Sequence, residues 1–207
     1  MTAIISILNS NLVNKLFSYL VKYLLLLRGV KIGKNFVARS LPILVKDKQS
    51  SIFIGDDVLF KDRVELRALK GSKLELENGV KLDKDVRIVV TNGSKVLFKE
   101  NADIGCNSIF NCGANLNVGQ NVLMAGFCYI QTSSHKILKS EIIQAQGHNH
   151  REINIGDDCW LGGGSFIMPG VRLGKGVVVG ANSIVNKNVD DFSIVAGSPA
   201  SKISERE

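Results

Sequence analysis

The sequence predicts an all-β prism of short strands wound three to a coil and entered through an amphipathic helix. Three observations carry this reading. An apolar residue recurs every sixth position over most of the chain, a small or β-branched residue stands four steps after nearly all of them, and 20 glycines accompany only 6% aromatic residues. That balance favours tight corners packed by small aliphatic side chains. With 207 residues, 45% of them hydrophobic, the chain can bury one sizeable core.

Residues 1–30 read as a helical segment. Leu12, Val13, Leu16, Phe17, Leu20, Leu24 and Leu27 recur at three- and four-residue spacing, with Asn11 as N-cap candidate, Arg28 in the last turn and Gly29 just beyond. Lys15 and Lys22 interrupt this stretch well short of the ~20 apolar residues a bilayer span requires. The start has neither the basic n-region nor the A-x-A site of a signal peptide. The apolar stripe is expected to pack on the main domain or between subunits, and peripheral contact with a membrane surface is the second expectation.

Charge is unevenly placed. Through Lys48 there are eight Lys/Arg against one acidic residue, and from Gln49 onward eighteen of each sign, so the whole formal charge of +7 belongs to the N-terminal segment. A nucleic-acid reading surface would carry basic residues on the folded body, beside aromatics, so no nucleic-acid partner is expected. An anionic membrane surface or an acidic glycan fits better. Cys106, Cys112, Cys128 and Cys159 show no CxxC spacing and no paired metal pattern with histidine, which reads as free thiols in a reducing, cytoplasmic compartment.

The six-residue rhythm starts at Ile54 and runs in triplets: Ile54, Phe60, Leu66; Leu76, Leu82, Ile88; Phe98, Ile104, Phe110; Val118, Met124, Ile130; Ile155, Leu161, Ile167; Leu173, Val179, Val185. Four residues after an anchor stands Val, Ala, Ser or Cys, as at Val58, Ala102, Ser108 and Cys159; only Lys70 and Asn92 depart. Each hexad is thus one side of a coil, a short strand and a turn, with its anchor pointing inward. Glycine after the anchor, as at Gly55, Gly119 and Gly162, is expected to supply backbone freedom at the corner. Coils stacked ~4.8 Å apart, six to seven in number, give a prism roughly 30 Å tall. The segments KGSKLELENGV and TNGSKVLFKENA add residues with turn signals at Gly71 and Asn92-Gly93, which should lengthen one edge without breaking the stack.

One segment leaves the rhythm. Ile155 follows Ile130 by twenty-five residues instead of six, so nineteen are extra, and the insertion 131–154 holds all three histidines, His135, His148 and His150. A loop of that length on a compact prism usually has a function. His135 follows the corner residue Ser134 and should face outward at an edge, as should Trp160 after Cys159; both make sense lining a cleft between prisms. His148 and His150, two apart, can share one face of an extended segment. All three are near-neutral proton carriers.

The rhythm, and above all IGDDCWLGGGSFIMPGVRLGKGVVVGANSIVNKNV followed by VAGSPA, resembles the hexapeptide-repeat acyltransferases over most of the chain. Within that family the sequence looks like the sugar O-acetyltransferases, including maltose and galactoside enzymes and those acting on capsule or lipopolysaccharide glycans. The resemblance implies a left-handed parallel β-helix over 31–203, with a tail at 204–207. It also implies a homotrimer with active sites between subunits, acetyl-CoA as acyl donor, no metal, and a sugar or glycan acceptor.

Within YIQTSSHKI the resemblance places His135 as the general base. Asn107, His148 and His150 become acceptor-side candidates, and Trp160, Gly163, Gly164, Ser165, Ala181, Lys187 and Lys202 become candidates for acetyl-CoA. Two departures stand out: Lys136 where proline is common, and GSPASK, in which Ser201 holds the usual basic position and Lys202 follows one step later. N-acetylation of an amino-sugar nucleotide is an alternative. So is a metal protein like the γ-class carbonic anhydrases, although their His-x4-His pair is replaced here by His148-x-His150.

Overall fold

The computed structural model describes residues 11–207. The part of the helical segment before Asn11, and the side chains of Asn11, the N-cap candidate, and of Leu12, lie outside the described residues. Helix α1 (Asn11–Leu27) comes first. Coil 1 holds β1 (Lys31–Ile32), β2 (Val37–Ala38) and β3 (Ile43–Lys46); coil 2 holds β4 (Ser51–Ile54), β5 (Leu59–Phe60) and β6 (Glu65–Ala68). Coil 3 is β7 (Lys73–Leu76), β8 (Lys81–Leu82) and β9 (Arg87–Val90), and coil 4 is β10 (Lys95–Phe98), β11 (Asp103–Ile104) and β12 (Ile109–Cys112). Coil 5 is β13 (Leu116–Val118), β14 (Leu123–Met124) and β15 (Tyr129–Gln131). The insertion then contributes β16 (Ser133–His135), a single 3-10 turn (Ile143–Ala145) and β17 (His148–His150). Coil 6 is β18 (Ile153–Ile155), β19 (Trp160–Leu161) and β20 (Phe166–Ile167); coil 7 is β21 (Arg172–Leu173), β22 (Val178–Val179) and β23 (Ile184–Val185). A hairpin of β24 (Ser193–Gly197) and β25 (Ala200–Glu205) ends the chain.

The first, second and third strands of successive coils stack into three sheets, A, B and C, of seven, nine and seven strands. Pairing within the stack is parallel, as in Ile54↔Leu76 and Ile155↔Leu173. The prediction of a parallel β-helix with an N-terminal helix therefore holds. All eighteen anchors are buried, each at 2% exposure or less. The early coils repeat every 22 residues and the last ones every 18, so the extra residues lengthen the C-to-A edge as expected.

Three details differ from the sequence expectation. The stack begins one coil before Ile54, with Ile32, Ala38 and Leu44 at the same six-residue spacing. The glycines after the anchors do not adopt the left-handed conformation; they are needed for space. A Cβ on Gly162 would lie 2.5 Å from the amide nitrogen of Ala181, and one on Gly119 would lie 2.5 Å from that of Asp157. The left-handed position is the third step after the anchor, held by Asp57, Asp85, Asn101, Asn107, Asn121, Asp158 and Asn182. Asn and Asp tolerate it because their short polar side chains bond locally.

The third difference concerns α1. The stripe Leu16, Leu20, Leu24 and Leu27 does not pack on the prism but is exposed, while Val21 and Leu25 are buried in the main core with Val30, Phe36 and Ala38. The open end of coil 1 carries unpaired backbone groups, and the helix turns polar residues toward them. Ser18 Oγ accepts from the Ala38 amide at 3.1 Å, and the Lys22 ammonium donates to the Gly33 carbonyl. At the other end, β25 pairs antiparallel with β24 and covers the last edge. It runs two residues into the segment expected to be tail, and Arg206 donates to Asp158 Oδ2 at 2.9 Å. No helix among the described residues is long and apolar enough to cross a membrane.

Candidate active site

The insertion is a two-stranded antiparallel ribbon at the corner between sheets C and A. Its root is Thr132, buried, whose Oγ1 accepts from the amides of Gly113 and Ala114, both at 2.9 Å, and whose carbonyl accepts from Arg151 N at 2.8 Å. From there Ser133 pairs with His150, Ser134 with Asn149, and His135 with His148. Residues directly opposite in an antiparallel pair, and residues two apart on one strand, share a face. All three histidines therefore come together on one side of the ribbon; the spacing of His148 and His150 foretold their shared face, and the register adds His135 to it.

The rings of His135 and His148 have centroids 4.2 Å apart and are tilted by 39°, while His148 and His150 stand 6.0 Å apart. His150 is held on both ring nitrogens: Nδ1 lies 2.8 Å from Ser133 Oγ and Nε2 lies 3.4 Å from Asn92 Nδ2. An amide nitrogen only donates, so this network assigns Nε2 as acceptor and puts the proton of neutral His150 on Nδ1, toward Ser133. The distal loop is pinned by Gln146, its buried member, whose amide donates to the carbonyls of Leu138 and Glu141 at 2.8 and 2.7 Å and whose Oε1 accepts from Leu138 N at 2.7 Å.

Beneath the histidines lies a cleft of about 490 Å³ over the outer face of sheet C, lined by Thr91, Asn92, Asn111, Tyr129, Gln131 and Ser133 among others. Asn111 Nδ2 donates to Tyr129 Oη at 2.7 Å, and the Tyr129 ring packs edge-on against Phe166 with centroids 5.0 Å apart. Cys112, also at this cleft, is buried, and burial pushes its thiol far above the ordinary range. Polar side chains, an aromatic floor and imidazoles at the rim suit a hydroxyl-rich ligand.

The other predicted site residues lie elsewhere on the prism. Asn107 occupies the opposite corner, between sheets B and C, where its left-handed backbone (φ 59°) serves the turn. Trp160 is exposed on β19. Gly163 and Gly164 follow at that same B–C corner in coil 6, and Ala181 in coil 7. Ser165 is buried, its Oγ 3.5 Å from Cys128 Sγ, so its side chain belongs to the core. Lys187 is exposed beyond β23, at the C-to-A corner of coil 7. Lys202 pairs with Glu205, whose carboxyl it holds below the usual range. The strands of sheet C separate the two corners by about 13 Å, four residues at ~3.3 Å each.

Phe127 was missed by the sequence reading. It is exposed and left-handed (φ 63°), directly above Asn107 at the B–C corner. The signal was available: every comparable third step in the later coils is Asn, Asp or Gly. Among the described residues no group of three or more His, Cys, Asp or Glu could hold a metal ion.

Comparisons with known proteins bear on the fold and its repeat. Residues 152–187 match the family described as bacterial transferase hexapeptide (six repeats). A probable acetyltransferase of Mycobacterium tuberculosis is 27% identical over 190 residues, covering 91% of this chain and 58% of that protein. A chloramphenicol acetyltransferase of Klebsiella aerogenes is 46% identical over 52 residues, 25% of each chain. The galactoside O-acetyltransferase of Lactococcus lactis is 32% identical over 82 residues, 40% of this chain and 39% of that one. This chain thus spans a little over half the length of the first relative and a quarter of the second.

Among solved structures, a mutant of AntD, an N-acyltransferase from Bacillus cereus in complex with dTDP and coenzyme A, superposes with a TM-score of 0.62 at 19% identity over 88% of both chains. The polySia-specific acetyltransferase NeuO gives a TM-score of 0.50 at 25% identity, over 85% of this chain and 78% of the other. The resemblance to the hexapeptide-repeat acyltransferases holds: the six-residue repeat is matched in sequence over residues 152–187, the parallel β-helix carries it through the fold, and the relatives named above are described as acetyltransferases.

Proposed function

We propose that the chain is an acetyl-CoA-dependent O-acetyltransferase that moves an acetyl group to a sugar hydroxyl of a bacterial surface glycan or its precursor, with His135 as general base. The observation that carries this is the ribbon: it brings His135 and His148 to the rim of a polar cleft, while Ser133 and Asn92 occupy both nitrogens of His150. Similarity to a galactoside O-acetyltransferase and to a polySia-specific acetyltransferase supports a sugar acceptor. The carbonic-anhydrase reading needs a three-histidine ligand set, whereas here His135 and His148 lie ring against ring and His150 is hydrogen-bonded to Ser133 and Asn92.

In the reaction the acceptor oxygen attacks the thioester carbonyl as His135 takes its proton. The tetrahedral oxyanion is held by backbone N–H donors. Its collapse breaks the C–S bond, and the leaving thiolate takes the proton from the His135 imidazolium, giving the acetyl ester and free coenzyme A.

Trp160, Gly163, Gly164 and Ala181 are the acetyl-CoA side, with the Trp160 indole along the pantetheine arm, Ser165 offering backbone only, and Lys187 near the phosphates. Because Gly163, Gly164 and Ala181 lie at the B–C corner and His135 at the C–A corner, on opposite edges of sheet C, the full site is assembled between neighbouring copies in a homotrimer, with Asn107 on the acceptor. The protein works in the cytoplasm.

The test is thiol release from acetyl-CoA across sugars, amino-sugar nucleotides, oligosaccharides and chloramphenicol, with His135→Ala and the double variant His148→Ala/His150→Ala alongside. Turnover with a sugar hydroxyl that His135→Ala removes supports the reading. Turnover confined to amino sugars makes the enzyme an N-acetyltransferase, and wild-type activity in His135→Ala with a dead double variant moves the base.

A further inference from the structure

The outer face of α1 has no partner among the described residues. Leu16, Tyr19, Leu20, Tyr23 and Leu27 are each 54–70% exposed, flanked by Leu24 and Leu26. At 3.6 residues per turn they fill roughly half the helix circumference without one charged residue. A surface helix ordinarily turns its apolar stripe inward and its charges to water. Here Ser18 and Lys22 are turned toward the prism beside Val21 and Leu25, bonded to Ala38 and Gly33, and the larger apolar stripe faces away.

A second feature lies beside this face. Between α1 and coil 1 runs a groove of about 540 Å³ to which Lys15, Lys22 and Arg39 contribute, with Tyr19 and Asn35, and no acidic side chain lines it. Through Lys48 the segment carries eight basic residues against one acidic, while the rest of the chain is neutral. A second copy of this chain would cover the apolar stripe but would bring the same excess of positive charge to the contact. An anionic bilayer satisfies both features, because it offers hydrocarbon beneath a layer of phosphates.

We propose that α1 and coil 1 form a docking surface for an anionic lipid bilayer. The helix lies in the plane of the interface, with Leu16, Leu20 and Leu27 below the headgroups and the Tyr19 and Tyr23 rings at headgroup level. Lys15 and Arg39 meet lipid phosphates. The helix caps coil 1 and the histidine ribbon leaves after coil 5, so four coil spacings keep the ribbon about 20 Å from the bilayer and open to solvent.

The experiment is co-sedimentation of the full chain with vesicles of phosphatidylcholine alone or with about one-third phosphatidylglycerol. Wild type is expected to partition at least about tenfold more strongly onto the anionic vesicles and to be released by raised salt. Leu16→Gln/Leu20→Gln/Leu27→Gln is expected to lose at least about tenfold of that partition. Lys15→Glu/Arg39→Glu, which leaves the packed face of the helix untouched, is expected to lose the preference for anionic vesicles. Unchanged melting of the second variant keeps the test valid should the first fail to fold. Wild type that ignores anionic vesicles overturns the proposal, as does binding that survives both changes. So does an oligomer, seen by light scattering, that falls to monomers in the leucine variant, since the face then belongs to copies of the chain.

Discussion

His135 and His148 stand directly opposite each other across the ribbon, ring centroids 4.2 Å apart, with neither ring hydrogen-bonded to another side chain among the described residues. His150, two residues on, is committed at both nitrogens to Ser133 and Asn92. The ribbon thus divides its imidazoles into two that can exchange protons with a ligand and one that holds the ribbon against sheet C. It also places the His135–His148 pair over Tyr129 and Asn111, which come from two different coils.

From this division the histidine variants separate by size. His135→Ala should lower kcat for thiol release by about a hundredfold or more, the usual worth of a positioned base, with coenzyme A binding unchanged. His150→Ala should act through ribbon position, raising KM more than it lowers kcat, and His150→Gln should recover part of the loss by bonding Ser133. Steady-state kinetics on purified variants decides. A His148→Ala enzyme as dead as His135→Ala is expected to be would show that the pair works as a unit.

Gln146 ties the loop between β16 and β17 to itself through three hydrogen bonds to backbone. Gln146→Ala removes these where water can replace them, so the global cost should be about 1 kcal/mol or less. Melting should barely move, whereas amide exchange across residues 136–147 should accelerate severalfold. Unchanged exchange there would mean that the ribbon alone orders the loop.

Sequence periodicity revealed the stack because each coil touches only its neighbours, so an inward residue must recur at the coil's own period. Ile54, Leu76, Phe98 and Val118 are readable for that reason. Coil 1 was harder to see because the small Ala38 stands in the middle of its triplet. The ribbon register, Ser133 against His150, was not legible, since the hexad rule says nothing about a segment that leaves the prism. The helix was read by its strongest stripe, yet the buried face was chosen by Ser18 and Lys22, which satisfy the open end of coil 1. The glycine role was misread because sequence cannot distinguish a need for left-handed backbone from a need for space; Gly162, against the Ala181 amide, is the second kind.

Phe127 is a bulky residue in the left-handed region, where L side chains cost roughly 1–2 kcal/mol. Phe127→Asn puts in the residue type that Asn107 and Asn182 supply at the same step, and the melting temperature should rise by several degrees. Strain kept on an exposed corner points to use, so the same variant should raise KM for acetyl-CoA or acceptor. A higher melting temperature with both KM values unchanged would remove Phe127 from the site.

The cysteines give a pH prediction of definite sign. Burial pushes the Cys159 thiol from its ordinary 9.0 up to about 11, and raises Cys128 and Cys112 as well. A group whose pKa is raised by folding contributes fully below its unfolded value and loses that contribution as pH climbs toward the folded one. Urea midpoints should therefore show no cysteine contribution to their change between pH 7 and 8.5, then a falling one from about pH 9 to 11. Lysine and tyrosine also titrate there, so the quantity to measure is the difference between wild type and Cys159→Ala, which should shrink the decline. At pH 8 a disulfide reagent should modify Cys106, the partly exposed thiol, well before the three buried ones, which react on unfolding. Equal reactivity of all four in the folded protein would contradict the burial that this packing assigns to Cys112, Cys128 and Cys159.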